Sequence, residues 1–375
     1  MKLPPLSLYI HYPWCVKKCP YCDFNSHELT LENNKHYIKA LLADLRDDLD
    51  LVQKRKIISI YIGGGTPSLL NIDELHNLFD YLKTNLKFAK DIEITIEINP
   101  GTIHNEKLLT YKKLGINRLS IGVQSFNISN LEFLNRIHSV TDAISSIKLA
   151  QDKGFDNINI DLMYGLNKQT LNDVLNDINT AISLHPSHIS FYQLTIEPNT
   201  LFYKFNPKLP DAETIYQMGE KGAKLLQDNL YKRYEVSAYG KIKSKHNLNY
   251  WKFGDYLGIG AGAAGKISYK NNIIRTYKTK SPKDYISNYL SAKPKIKREK
   301  IKSQDITFEF MLNALRLKNG FNSKLFEQRT YKKLNIIYSK LDKAEQLGLL
   351  KVNPKCIKPS SKGYKFLNDL QEIFL

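Results

Sequence analysis

The chain has 375 residues, 42% of them apolar, and a formal net charge of +18. That suits one large domain plus a smaller one. It argues against a spanning segment, since no apolar run approaches the ~20 residues a bilayer requires. The start, MKLPPLSLYIHYP, is too short and too proline-rich for a signal peptide, so a cytoplasmic location is expected. Only nine of the 55 basic residues are arginine, and Lys, Asn, Ile and Tyr are all abundant. This points to a biased codon supply rather than a nucleic-acid footprint, because nucleic-acid readers favour arginine forks. No nucleic-acid partner is expected; an acidic ligand remains compatible with the charge.

Six β-rich runs are expected: Leu8–Tyr12, Ile57–Ile62, Ile92–Ile98, Arg118–Val123, Ile158–Met163 and His188–Ile196. Amphipathic stretches lie between them at Lys35–Val52, Ile72–Leu86, Glu106–Leu114, Asp142–Lys153 and Leu171–Leu184. Alternating strands and helices imply βαβ crossovers and a parallel sheet. Six units are too few for a closed eight-fold barrel, so an α/β fold with an open, partial TIM-like (β/α)6 barrel is expected. A sheet wound in both directions is the alternative. Polar and glycine-rich loops follow each strand: HYPWC, GGGTP, NPGT, QSFN, YGL and EPNT. In a barrel these loops converge on one mouth.

After Pro210 the pattern changes. A helix over Ala212–Asn229 and a strand at Tyr234–Tyr239 are expected, followed by HNLNYW (His246–Trp251) and the run LGIGAGAAG (Leu257–Gly265). Lys278–Lys302 reads as a basic linker or exposed helix. From Ile306 the texture is helical, consistent with a small winged-helix-like domain. The division expected is 1–240 for the core barrel, 241–300 for the HNLNYW and glycine-rich segment with its basic linker, and 301–375 for the C-terminal helical domain.

Three of four cysteines fall within eight residues: Cys15, Cys19 and Cys22, with Cys356 alone. A tight cluster points to a metal rather than a disulfide framework. Lys17, Lys18 and Asp23 make the loop too polar for three unligated core cysteines. Zinc knuckles pair C-x2-C motifs and use four ligands; His11 or Cys356 would have to complete such a site. A cubane iron–sulfur cluster takes one thiolate per iron, and three thiolates leave one iron open to an external chelator. Glycines in GGGTP allow close approach of a ligand to the backbone. Glu97 ends the third strand and can accept from an ammonium or a ribose. Asp161, between Ile160 and Leu162, is costly to bury unless it is bonded.

C-x3-C-x2-C with an aromatic before its last cysteine, just after the first strand of such a barrel, resembles the radical S-adenosylmethionine superfamily. The further motifs EINP, GVQS, NRIHS, DLMYGL, YQLTIEPNT, YEVSAYG and HNLNYW resemble the family of oxygen-independent coproporphyrinogen III oxidase over almost the whole chain. The resemblance implies a [4Fe-4S] cluster on Cys15, Cys19 and Cys22, with S-adenosylmethionine contacted by Tyr9, Gly64 and Glu97. It also implies that Gly65, Thr66, Gln124, Arg136 and Asp161 line a second position. The oxidases resemble C-x3-C-x2-C-x-C and carry a longer segment before the first strand. Here Phe24 stands at the last position and Tyr9 comes early. Both departures resemble instead the HemW-type heme-chaperone branch, of which HNxxYW is a signature. That branch implies heme as cargo, His246 as a heme-related residue, and an acceptor hemoprotein as partner, with a membrane respiratory complex and a homodimer as possibilities. The oxidase activity is the alternative.

Overall fold

The computed structural model describes residues 3–30, 36–270, 272–291, 296–353 and 355–375. Lys35 of the first expected helix and 292–295 of the basic stretch lie outside them.

Six strand–helix units follow one another. They are β1 (Leu6–Tyr12) with α1 (Tyr37–Asp47), β2 (Ile57–Gly64) with α2 (Ile72–Asn85) and β3 (Phe88–Ile98) with α3 (Asn105–Leu114). Then come β4 (Arg118–Gln124) with α4 (Ile128–Phe133) and α5 (Val140–Asp152), β5 (Ile158–Tyr164) with α6 (Leu171–Ser183), and β6 (His188–Gln193) with α7 (Leu201–Phe205) and α8 (Ala212–Asp228). Neighbouring strands from β1 to β6 all pair in parallel. Local signals start the outer helices: capping boxes at Asn71/Glu74, Ser139/Asp142 and Thr170/Asp173 satisfy the first free N–H groups of α2, α5 and α6.

Strand alternation decides what faces where. One set of side chains, such as Leu8, Ile10, Ile60, Ile62, Ile96, Leu119, Ile121, Ile160 and Ile189, belongs to the main apolar core, which the helices complete. The alternate set is polar: Ser7, Tyr9, Ser59, Tyr61, Thr95, Glu97, Ser120, Asp161 and Ser190. These residues bond across the interior, Ser7 Oγ to Ser59 Oγ at 2.7 Å and Asn159 Nδ2 to Ser120 Oγ at 2.8 Å. The barrel therefore has a polar lumen inside an apolar coat.

The sheet continues beyond the barrel. Past α8 come β7 (Lys232–Arg233), β8 (Ala238–Gly240), α9 (Lys245–Trp251), β9 (Asp255–Ile259), β10 (Ala264–Ser268), β11 (Ile273–Tyr277), α10 (Pro282–Leu290) and β12 (Lys297–Lys300). The twelve strands run in the order β12-β11-β10-β9-β1-β2-β3-β4-β5-β6-β8-β7 and leave the barrel open. β9 joins β1 in parallel. The expected strand at Tyr234–Tyr239 is instead two short antiparallel strands around a turn, where the Ser237 N–H donates to Glu235 Oε1 at 3.1 Å.

The basic stretch from Lys278 is neither a linker nor a wholly exposed helix. Lys278 is buried, its Nζ 2.5 Å from Asp44 Oδ1 and 2.6 Å from Asp48 Oδ2. The hydroxyls of Tyr285 and Tyr289 on α10 also donate to Asp44, at 2.6 and 2.8 Å. Two buried carboxylates demand a cation, and Lys278 supplies it.

A second core holds the C-terminal elements α11 (Ser303–Ala314), α12 (Ser323–Thr330), α13 (Tyr338–Gln346), β13 (Leu350–Asn353), β14 (Cys356–Pro359), α14 (Ser361–Lys365) and α15 (Leu367–Glu372). Helices with one antiparallel hairpin match the winged-helix-like expectation. Phe310 sits at its centre, with the rings of Phe253, Phe321 and Phe326 edge-on around it. Among the described residues, no helix is long and apolar enough to cross a membrane.

Candidate cofactor site at the barrel mouth

The loops after the strands enclose a cavity of about 450 Å3. Its lining includes Cys15, Cys19, Cys22, Gly64, Gly65, Thr66, Glu97, Gln124, Arg136 and Asp161. Residues up to 146 positions apart in the chain thus share one wall. Tyr9 lies one layer deeper, its ring stacked on that of Tyr61 at 6.3 Å. His246 is not in the lining.

The cysteine loop is braced on both sides. The Tyr9 hydroxyl donates to His11 Nδ1 at 2.9 Å, and His11 Nε2 donates to the Asn25 carbonyl at 2.9 Å. Burial lowers the His11 pKa, which keeps this neutral tautomer in place. The Asn25 amide donates to the carbonyls of Ala261 and Lys280, both at 2.9 Å. A Cβ at Gly262 would lie 2.5 Å from that amide, and φ there is +80°. The glycine-rich run therefore buttresses the cysteine loop. The sequence marked the run but not Asn25, whose role rests on contacts more than 230 residues away.

The GGGTP loop is equally constrained. The Gly65 N–H donates to the Tyr12 carbonyl at 2.7 Å and the Thr66 N–H to the Trp14 carbonyl at 2.7 Å. A Cβ on Gly65 would meet the Trp14 carbonyl oxygen at 2.6 Å. Gly64, at φ +119°, donates its N–H to Glu97 Oε2 at 2.9 Å, and Tyr61 donates its hydroxyl to Glu97 Oε1 at 2.8 Å. Burial pushes the Glu97 carboxyl up from 4.5 to about 7, against the lowering effect of those two bonds.

Opposite stand Gln124, Arg136 and Asp161. Gln124 is a non-glycine residue at φ +73°, a strained conformation of the kind that clusters at functional sites. Its Oε1 accepts from the Tyr192 hydroxyl at 2.8 Å. Asp161 accepts from Asn159 Nδ2 at 2.8 Å, and burial raises its carboxyl above the ordinary range. The Arg136 guanidinium donates to Asn99 Oδ1 at 2.7 Å, the Gly122 carbonyl at 2.8 Å and Cys19 Sγ at 3.5 Å. Sequence reasoning missed Tyr61, Asn99 and Tyr192. The period-2 polar pattern of YIG, EINP and FYQ is the signal that could have found them.

Burial raises the thiol of Cys15 to about 11 and that of Cys22 above its usual value. Thr66 bonds the Cys15 sulfur, and Ser26 Oγ lies 3.7 Å from Cys22 Sγ. Among the described residues, no trio of His, Cys, Asp or Glu is gathered tightly enough to hold a single metal ion.

His246 is placed otherwise than an accessible heme ligand requires. It is 2% exposed at the base of α9, with Nδ1 3.0 Å from Ser59 Oγ and its ring 5.2 Å from that of Tyr61. Its backbone N–H donates to Glu93 Oε1 at 3.0 Å. Burial, with Arg118 nearby, drops its pKa to about 3, so it is a neutral core residue on the floor of the lumen. Trp251 stacks under the Arg316 guanidinium at 4.3 Å rather than offering an open face.

A six-strand parallel barrel with a three-cysteine loop after β1 and a glycine loop after β2 is the architecture of a radical S-adenosylmethionine protein. The family model of the radical SAM superfamily matches residues 9–181, and that of the HemN C-terminal domain matches residues 301–366. The chain is 45% identical to heme chaperone HemW of Haemophilus influenzae, over 100% of this chain and 99% of that protein. It is 44% identical to heme chaperone HemW of Escherichia coli, over 100% and 99%. It is 34% identical to that of Bacillus subtilis, over 98% and 99%. Coproporphyrinogen III oxidase (HemN) from Escherichia coli shares the fold, with a TM-score of 0.85 at 24% identity over 99% of this chain and 90% of that one. The chain belongs to the HemW heme-chaperone family of radical SAM proteins.

Proposed function

We propose that the chain is a heme carrier whose barrel mouth holds a [4Fe-4S] cluster on Cys15, Cys19 and Cys22, with S-adenosylmethionine beside it. The observation that carries this reading is the shared wall of three thiols, the GGGTP backbone and Glu97. Three thiols on one cavity wall suit a cubane, which takes one thiolate per iron and leaves its fourth iron open. With Cys15, Cys19 and Cys22 holding three irons, such a cluster would have its fourth iron free to chelate the methionine end of S-adenosylmethionine. Gly64 and Gly65, packed against His11 and Trp14, present their backbone to the cavity where that end would lie, and Glu97 would accept from its ammonium once ionised. Gln124, Arg136 and Asp161 serve the second position, and Tyr9 holds the loop through His11.

Heme as cargo, and delivery to an acceptor hemoprotein, follow from the name carried by the full-length relatives. Ligation of heme by His246 requires α9 to leave its seat, since the packed imidazole has no open face. The domain division at 240 and 300 is part of the same reading; the HemN C-terminal match at 301–366 supports its last boundary.

The test is a heme titration of anaerobically reconstituted protein, with a parallel assay on coproporphyrinogen III and S-adenosylmethionine under reduction. Stoichiometric heme binding without protoporphyrinogen is expected. Multiple-turnover protoporphyrinogen formation would replace the carrier reading with the oxidase one.

A further inference from the structure

Each cysteine at the mouth has a different polar neighbour. Cys15 has Thr66 and Cys22 has Ser26, whose Oγ lies 3.7 Å from its sulfur; both are neutral. Cys19 has a cation, Arg136, whose Nη1 lies 3.5 Å from its sulfur.

The guanidinium is held so that this contact is enforced. Nη2 makes two bonds, to Asn99 Oδ1 at 2.7 Å and to the Gly122 carbonyl at 2.8 Å. Asn99 directly follows β3 and Gly122 lies within β4. The planar fork then fixes where Nη1 points. The backbone cooperates. Asn135 turns the chain at φ +54°, and its side chain accepts from Lys17 Nζ at 2.7 Å, which ties the Arg136 turn to the cysteine loop a second time. Asn99 Oδ1 also lies 3.1 Å from His138 Nδ1, so the acceptor is itself anchored.

We propose that Arg136 is the charged donor that sets the reduction potential of the cluster through the Cys19 sulfur. The inference rests on the cluster reading above. Hydrogen bonds to cluster sulfurs are among the main controls of potential. One electron takes the cluster from 2+ to 1+ and adds negative charge to the cluster and its thiolates. A nearby cation stabilises that reduced state, and charge-assisted bonds are about twice as strong as neutral ones. Removing Arg136 therefore lowers the potential. Thr66 and Ser26 do not compensate, because neither carries charge. The fork's Nε is buried without a partner, so the contacts that hold the guanidinium are those of Nη1 and Nη2. Arg136 is thus a positioning and tuning residue toward the cluster, separate from any contact with the second position.

The experiment is a dithionite titration of the reconstituted full chain, followed by the paramagnetic resonance of the reduced cluster. Wild type, Arg136→Met and Arg136→Lys are compared at equal iron content. Arg136→Met should shift the reduced-to-oxidised ratio about tenfold toward oxidised, about 59 mV for one electron. Arg136→Lys, which keeps the charge but loses the fork, should fall between. An unchanged midpoint in Arg136→Met with full iron overturns the proposal. If Arg136→Met assembles no cluster, Arg136→Lys and Asn99→Ala decide: a lowered midpoint supports the role and an unmoved one in both overturns it. A wild-type chain that assembles no cluster overturns the cluster reading itself, and this inference with it.

Discussion

Cys15, Cys19 and Cys22 line the cavity, whereas the Cys356 thiol donates to the Asn319 carbonyl at 3.1 Å in the C-terminal hairpin. Alanine at any of the first three should abolish the cluster, and Cys356→Ala should keep it. Iron content and visible absorbance after anaerobic reconstitution check this, and a cluster surviving Cys19→Ala would refute the assignment. Glu97 carries a pH signature. Its folded pKa, about 7, lies above the ordinary 4.5, so the folded chain holds a proton that the unfolded chain releases. Stability therefore falls as pH climbs from about 4.5 through 7, by roughly 3 kcal/mol at most. Glu97→Gln should remove that part of the slope, seen as denaturant midpoints at pH 5 and 8 drawing together relative to wild type. The cysteine motif was plain in the sequence because its spacing is local. The bond from Arg136 to Cys19 was not, because 117 residues separate the partners.

The GGGTP loop shows how one backbone position governs a whole element. Gly65→Ala drives a methyl into the Trp14 carbonyl, and the loop or the cysteine segment must shift. A loss of about 1–3 kcal/mol is expected, together with at least about tenfold weaker S-adenosylmethionine binding. Calorimetric titration and thermal unfolding measure the two effects. A variant that binds normally would mean that this backbone does not touch the ligand. The six strands were legible because each alternates apolar and polar residues with period 2. The two short strands around Glu235 were not, because their turn is made by a side-chain bond. The seat of HNLNYW was not legible either: its helix starts at Lys245 behind the Ser244 cap, and packing against Ser59 and Tyr61 buries the His246 ring.

Across the molecule, the region after the barrel is clamped to α1 by a buried network of Lys278, Asp44, Asp48, Tyr285 and Tyr289. Burial is the main influence raising the Asp48 carboxyl, and Lys278 opposes it. Lys278→Met leaves two buried carboxylates without that cation. It should destabilise by about 3–5 kcal/mol, read from denaturant unfolding, while Lys283→Met on the exposed side of α10 should change stability by less than about 0.5 kcal/mol. Equal stabilities would show that the network is solvated in solution.

The sequence by itself determined the class of fold, the strand-end loops and the three-thiol motif. Each is written in short-range periodicity or spacing, which the backbone geometry of strands and turns reads directly. Tertiary structure alone decided which of those residues meet. Periodicity says which face a side chain takes, not which distant side chain shares that face. So the Asn25 brace, the Arg136 contact, the burial of His246 and the charge clamp at Lys278 emerge only once the parallel strands stack in register and curve around the lumen.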